Sequence, residues 1–219
     1  MPFKSCSTNS SNFLENLKQA KTNETVFIIG GGSSLFSCID SCEQLDGQDI
    51  ICVNAAWTLF PHNSILTHFS DAIWFEWQPE DFLKQYDGYI STCGNAHKML
   101  WDSLGIHSFM KDEKQDVGYS CKPNTLAGLN SGHQAVNIAI NMGYSNIALL
   151  GFDMNPVTSK SHWHDLHKRK SAVNLYSQWM DHFTKMQEKL LTCSTSKVYN
   201  CNYESALKCF EFKDVKDIL

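Results

Sequence analysis

The residues best placed to do chemistry begin with Gly30-Gly31-Gly32-Ser33-Ser34, which follows directly on the apolar run Val26-Phe27-Ile28-Ile29. Glycines let a chain turn sharply and bring backbone N–H groups close to a ligand. A helix beginning near Ser34 would add the partial positive charge of its amino end. A phosphate, most simply that of a nucleotide, suits such a pocket; a plain tight turn is the alternative. Gly30 and Gly32 fit the first two positions of the dinucleotide fingerprint, but Leu35 stands at the third and no lysine follows in a phosphate-loop arrangement. That argues against a standard dehydrogenase and against a P-loop kinase.

A second cluster lies in the His-rich loop 156–167, where His162, His164 and His167 accompany Trp163 and Asp165. One imidazole could act as general base near neutral pH or touch a phosphate. Three could bind zinc with Asp153, or form polar surface. Asp71 and Asp153 each follow an apolar strand, so they could ligate a metal such as Mg²⁺, orient a substrate, or serve only as loop residues. Asn54 stands where dinucleotide folds place the residue that holds a ribose, and its amide both donates and accepts; a turn-forming role is equally open. Asn130-Ser131-Gly132 opens a helix, with Ser131 a natural N-cap. Exposed N–H groups there could face the same ligand, which would give one anion cradle shared with the glycine loop. Trp57, Phe60, Trp74, Phe75 and Trp77 read as core, with a stacking wall as the alternative.

The elements that must position these residues alternate. Strands are predicted at Val26–Ile29, Ile50–Val53, Ile65–Phe69, Gly88–Thr92, Ile147–Leu150 and Lys197–Asn200. Helices are predicted at Ser11–Ala20, Leu35–Leu45, Ser131–Met142 (stopped by Gly143), Arg169–Leu190 and the C-terminus, with helical turns at Ile73–Trp77 and Pro79–Gln85. Residues 111–130 read as a long, lid-like loop. The fold class expected is α/β: a Rossmann-like, mostly parallel sheet with helices on both faces, in a single domain. Residues 1–24 form a leader and helix and residues 25–219 the nucleotide-binding domain. Ligands of such sheets sit at the carboxyl ends of the strands.

Composition narrows the classes further. The 219 residues suffice for one sizeable domain. A net charge of -5 argues against a nucleic-acid partner, and the one dense basic run is His167-Lys168-Arg169-Lys170. The nine cysteines, among them Cys38 and Cys42, include no CxxC pair, so reduced thiols in a cytoplasmic protein are expected. No apolar run approaches the ~20 residues of a membrane helix, and the first residues carry no apolar signal core. A homo-oligomer is compatible with all of this.

The stretches VFIIGGGSSL, IICVNAAW, NSGHQAVNIAINMGYSNIALLGFDM, SHWH and VYNCNYESALKCF run in order from Val26 to Phe210. Together they resemble bacterial sialyltransferases that act on lipooligosaccharide. They equally resemble a broader family described as 6-hydroxymethylpterin diphosphokinase-like, which has phage and metagenomic members. The resemblance implies a transferase that uses a nucleotide-activated sugar of CMP type and a small-molecule acceptor. Gly30, Gly32, Ser33, Ser34 and Asn54 would hold the CMP part, and Asn130, Ser131 and Gly132 the cytidine or phosphate. A histidine after the GFD block would be the base, with His164 favoured over His162 and His167. No metal is required on that model. The chain departs from the sialyltransferases in having GGGSSL for GNGPSL and in following Asp153 with Met154-Asn155-Pro156 instead of tyrosines. The rival readings are a pyrophosphokinase using ATP and Mg²⁺, with Asp71 and Asp153 as metal ligands, and a non-catalytic nucleotide-binding module.

Overall fold

Short apolar runs with no polar alternation belong to strands covered on both faces, and the centre of this molecule is built from three of them. The computed structural model describes residues 12–35, 43–94, 96–114, 116–155, 162–164 and 173–219. In it β1 (Thr25–Ile29), β2 (Asp49–Val53) and β7 (Asn146–Leu150) lie side by side and almost wholly buried. β3 (Leu66–Phe69), β4 (Tyr89–Cys93), β5 (His107–Lys111) and β6 (Thr125–Leu126) extend the sheet beyond β2. β8 (Lys197–Asn200) and β9 (Glu211–Phe212) extend it beyond β7.

The order among the described residues is β6-β5-β4-β3-β2-β1-β7-β8-β9, and every ladder is parallel. The chain winds outward from β1 to β6, then returns to lay β7 against the free side of β1. That reversal between β1 and β7 is the switch point at which open α/β sheets place their crevice.

Side chains alternate between the two faces. Val26, Ile28, Ile51 and Leu149 point into a core closed by the helices Phe13–Ala20, Ser131–Met142 and Val173–Cys193. Phe27, Ile29, Ile50 and Leu150 point the other way, into an aromatic layer with Trp57, Phe60, Trp74, Phe82 and Trp101. The five aromatics singled out in the sequence are therefore largely core, though Phe75 and Trp77 stay half-buried.

Several expectations are corrected. The C-terminal helix is absent: the described residues after β8 form turns, β9 and a 3₁₀ turn at Val215–Asp217. Side chains there satisfy nearby backbone N–H groups, with Asn200 accepting from Asn202, Asn202 from Glu204 and Ser205 from Leu207. Such local bonds compete with helix formation. Beyond the strand predicted at Gly88–Thr92 the sheet continues through the helix Lys98–Ser103 and β5, neither of which was predicted. Within 111–130, β6 pairs with β5, and the Asn137 side chain accepts from Ser120 N–H and Ala127 N–H at 2.8 and 3.0 Å. The leader, Cys38 and Cys42, most of the Leu35–Leu45 helix and the His167–Lys170 run lie outside the described residues.

Candidate functional site

The glycine loop leaves β1 and is shaped by the end of β7. Gly30 N–H donates to Leu150 C=O at 2.7 Å and Gly32 N–H to Gly151 C=O at 2.8 Å. The Asp153 carboxylate closes this corner. It accepts from Ser34 N–H at 2.9 Å, from the Ser34 hydroxyl, from the Ser33 hydroxyl at 3.3 Å and from Asn202 Nδ2 at 3.0 Å. A Cβ on Gly32 would meet Asp153 Cγ and Gly151 O at 2.6 Å, so packing alone requires glycine there. Ser33 and Ser34, expected to touch a nucleotide, are not among the residues that line the cleft. Among the described residues, the Gly31 and Ser33 N–H groups are the ones in this loop left without a partner.

The opposite border is the start of the helix Ser131–Met142. Its N-cap is Asn130, not Ser131: Asn130 Oδ1 accepts from His133 N–H at 2.8 Å. The Ser131 hydroxyl instead accepts from Ser70 N–H at 2.9 Å, which ties the helix to the end of β3. Gln134 reinforces the tie. Its Oε1 accepts from the Ser70 hydroxyl at 2.7 Å and from His68 Nε2 at 2.9 Å, and its Nε2 donates to Gly128 C=O at 2.9 Å. An amide oxygen only accepts, so His68 carries its proton on Nε2 and takes a bond from Ser91 on Nδ1. Burial pushes the His68 imidazole down to about 4, and His133 likewise. Both histidines are therefore neutral structural groups at pH 7. Phe152 is wedged between Gly30 and Gly132; a Cβ on either would press its ring, at 3.1 and 2.8 Å. The two segments border one cleft without forming a single continuous cradle.

The third border carries the histidines. Trp163 N–H donates to Gly31 C=O at 3.1 Å, and the Trp163 ring packs into the aromatic layer. His162 and His164 flank it, and both turn towards Gly31. A Cβ there would lie 3.1 Å from His162 Cδ2 and 3.9 Å from Nε2 of each imidazole. Two buried donors have no partner among the described residues, Asn130 Nδ2 at the helix border and Trp163 Nε1 at this one. Buried N–H groups left unpaired are costly, and a ligand oxygen in the cleft, which Asn130 lines, would satisfy the first of these.

These borders enclose a cleft of about 700 Å³ at the carboxyl ends of β1, β2, β3 and β7. Its lining includes Gly30, Gly31, Gly32, Asn54, Asp71, Asn130, Ser131, Gly132, Asp153, His162 and His164, residues named from the sequence because each follows a strand, opens a helix or sits in the His-rich loop. Asn54 and Met154 both adopt left-handed backbone, at φ 53° and 48°, which places two strained residues on the rim. Trp74 and Trp77, noted as core aromatics, line the cleft as well. Tyr176, Gln178 and Trp179 were missed. They enter from the first turns of the helix Val173–Cys193, and the three-residue spacing of Tyr176 and Trp179 was the available signal. Burial, then the neighbouring Asp153 charge, raises the Tyr176 hydroxyl above its ordinary range. Among the described residues no three His, Cys, Asp or Glu side chains gather as a metal site, and no helix is long and apolar enough to cross a membrane.

No protein-family model matches the chain, and no curated protein matches it significantly in sequence. Among solved structures, an alpha-2,3/8-sialyltransferase, CstII, crystallised as a point mutant, shares the fold with a TM-score of 0.51. The match covers 86% of this chain and 85% of that one at 18% identity. The chain thus has the α/β, Rossmann-like fold of that sialyltransferase.

Proposed function

We propose that the chain is a nucleotide-dependent transferase, specifically a glycosyltransferase that uses a nucleotide-activated sugar of CMP type. One observation carries this reading. The glycine loop, Asn54, Asp71, the amino end of the helix Ser131–Met142 and two histidines, drawn from separate elements, border a single cleft at the sheet's switch point. Its volume suits a nucleotide-sized ligand. The sialyltransferase fold supports the same class.

In this reading Gly31 N–H and the Asn130 side-chain amide receive phosphate and sugar oxygens, and Asn54 holds the nucleoside. His164, which approaches Gly31 through Nε2, takes the proton of the acceptor hydroxyl as it attacks the sugar carbon, and the nucleotide leaves as its phosphate. Asp153 is a positioning residue here, because its oxygens already serve Ser33, Ser34 and Asn202. For the same reason it fits poorly as half of a cation site with Asp71, which weighs against an ATP- and Mg²⁺-dependent pyrophosphokinase.

A thermal-shift screen against CMP, CDP, UDP, GDP, ADP and ATP, with and without Mg²⁺, tests the reading. Stabilisation by CMP without Mg²⁺ is the expected result. Stabilisation by ATP only with Mg²⁺ would move the protein to phosphoryl transfer. No stabilisation by any nucleotide would overturn the nucleotide assignment.

A further inference from the structure

Gly31 has no backbone reason to be a glycine, since its φ lies outside the left-handed region. The missing side chain instead leaves room for two imidazoles. The point a Cβ would occupy is 3.9 Å from Nε2 of His162 and 3.9 Å from Nε2 of His164. Two ring nitrogens thus converge on one face of the glycine loop, beside the Gly31 N–H that has no partner among the described residues. Trp163, between them, holds the arrangement through its bond to Gly31 C=O.

The two rings are not equivalent. His162 sets its edge against Gly31, with Cδ2 at 3.1 Å from that point, while no atom of His164 comes nearer than its Nε2. His164 stands edge-on to the Trp163 ring, at 4.9 Å and 82°. The imidazole centroids are 5.6 Å apart, so two protonated rings would repel and the pair favours a single proton. An anion at Gly31 draws that proton to the nearer ring, His162. The other charged or titratable groups that face this corner among the described residues are the Asp153 carboxylate after β7, Asp71 after β3 and Tyr176 from the helix Val173–Cys193. Both carboxylates favour a protonated imidazole beside them.

We infer that His162 is a second catalytic residue: an imidazolium whose Nε2–H bonds the nucleotide phosphate at Gly31 and stabilises the charge it gains as the sugar departs. This role rests on the transferase reading, in which His164 is the base. The acceptor oxygen forms its bond to the sugar carbon, and the bond from that carbon to the phosphate oxygen breaks. The electron pair of the broken bond passes to the phosphate, whose charge rises from one to two. The acceptor's proton ends on His164 Nε2 and is then released to water, while the His162 proton stays on its ring.

Calorimetry of CMP binding to the full chain, from about pH 7 to about pH 8.5, tests it. Across that window a phosphomonoester stays doubly charged, carboxylates stay ionised and phenols stay neutral, so a histidine is the group that changes charge. A protonated His162 is needed by the bound state, so CMP affinity should fall about tenfold as pH rises through the window. His162→Gln, which keeps a donor but cannot titrate, should bind CMP more weakly at pH 7 and show a flat profile, whereas His164→Gln should keep the slope. If His162→Gln loses its native melting transition, nitrogen NMR of the unaltered chain replaces it: the His162 ring should turn to imidazolium when CMP is added at pH 7.5. A flat profile in the unaltered chain, a slope that survives in folded His162→Gln, a slope lost only in His164→Gln, or a His162 ring that stays neutral with CMP bound would overturn the inference. CMP bound with no slope removes the role of His162 alone; CMP that fails to bind at any pH brings down the transferase reading and this role with it.

Discussion

The cleft has a floor and a wall that were put together differently. The floor consists of Gly30–Gly32, Asp153, Ser131 and Gln134, whose bonds run between strand ends and a helix start. Gln134 is 1% exposed and its amide is matched on both sides, which leaves the floor little freedom. The wall is His162–His164 with Tyr176 and Trp179, all half-buried, and it includes the Trp163 indole N–H, which has no partner among the described residues. Paired groups of the floor, such as the Asp153 carboxylate and the Gln134 amide, fix geometry, while the unpaired Gly31 N–H beside them is left for a ligand. Stability and chemistry are thus assigned to different residues a few ångströms apart, as at Gly32 and Gly31.

Substitutions can break this division. His164→Ala, on the wall, should lower turnover by roughly 10²–10⁴-fold while the melting temperature stays put, as steady-state kinetics and thermal denaturation would show. Full activity would move the base elsewhere. Gly32→Val, in the floor, should destabilise the fold by about 3 kcal/mol in urea titrations, because its side chain enters space already held by Asp153 and the Gly151 carbonyl.

Acidification should also strike the floor. His68 and His133 titrate near 4 in the fold against an ordinary 6.5. The unfolded chain therefore binds protons first. The stability gained by keeping both rings neutral is whole above pH 6.5 and is lost progressively as pH falls from there towards 4. The loss should be about 1 kcal/mol per pH unit for each ring, seen as a lower urea midpoint at pH 5.5 than at 7.5. A flat profile would mean that the rings are not held neutral. The smallest effect on stability belongs to Gly31→Ala, whose added methyl meets the His162 ring edge at 3.1 Å and otherwise makes ordinary contact with the two Nε2 atoms at 3.9 Å. It should cost less than about 1 kcal/mol of stability yet weaken CMP binding in calorimetry.

How far the sequence could be read depended on how local the cause was. β1, β2, β7 and the helix Ser131–Met142 were legible because buried parallel strands carry unbroken apolar runs, and because Gly143 ends the helix in the left-handed conformation, at φ 79°. β5 was not legible. Its buried residues include His107 and Ser108, made tolerable by Asn124, by Gly94 C=O and by stacking of His107 on Phe13 at 3.9 Å, all contacts from elsewhere in the chain. The strand-end residues of the site were readable from the rule that places ligands at the carboxyl ends of parallel strands. The role of Asp153 was not readable, because it depends on Ser34 and on Asn202, far along the chain in both directions. The cap was misread by one residue: Asn130 and Ser131 are both good caps, and Ser70 decides between them by claiming the serine.

The position of β1 has a consequence for how the protein is made. Its first partner, β2, leaves the ribosome soon after it, but its second, β7, pairs Thr25 with Asn146 and arrives only when most of the chain has been synthesised. Until then one edge of the central strand is bare, and the Gly30 and Gly32 amides have no Leu150 or Gly151 carbonyl to bind. A nascent chain released before residue 151 could form a partial sheet but not the glycine corner. Closure of the site is therefore a late, long-range event in folding, and it is the stage at which the unfinished protein is most open to aggregation.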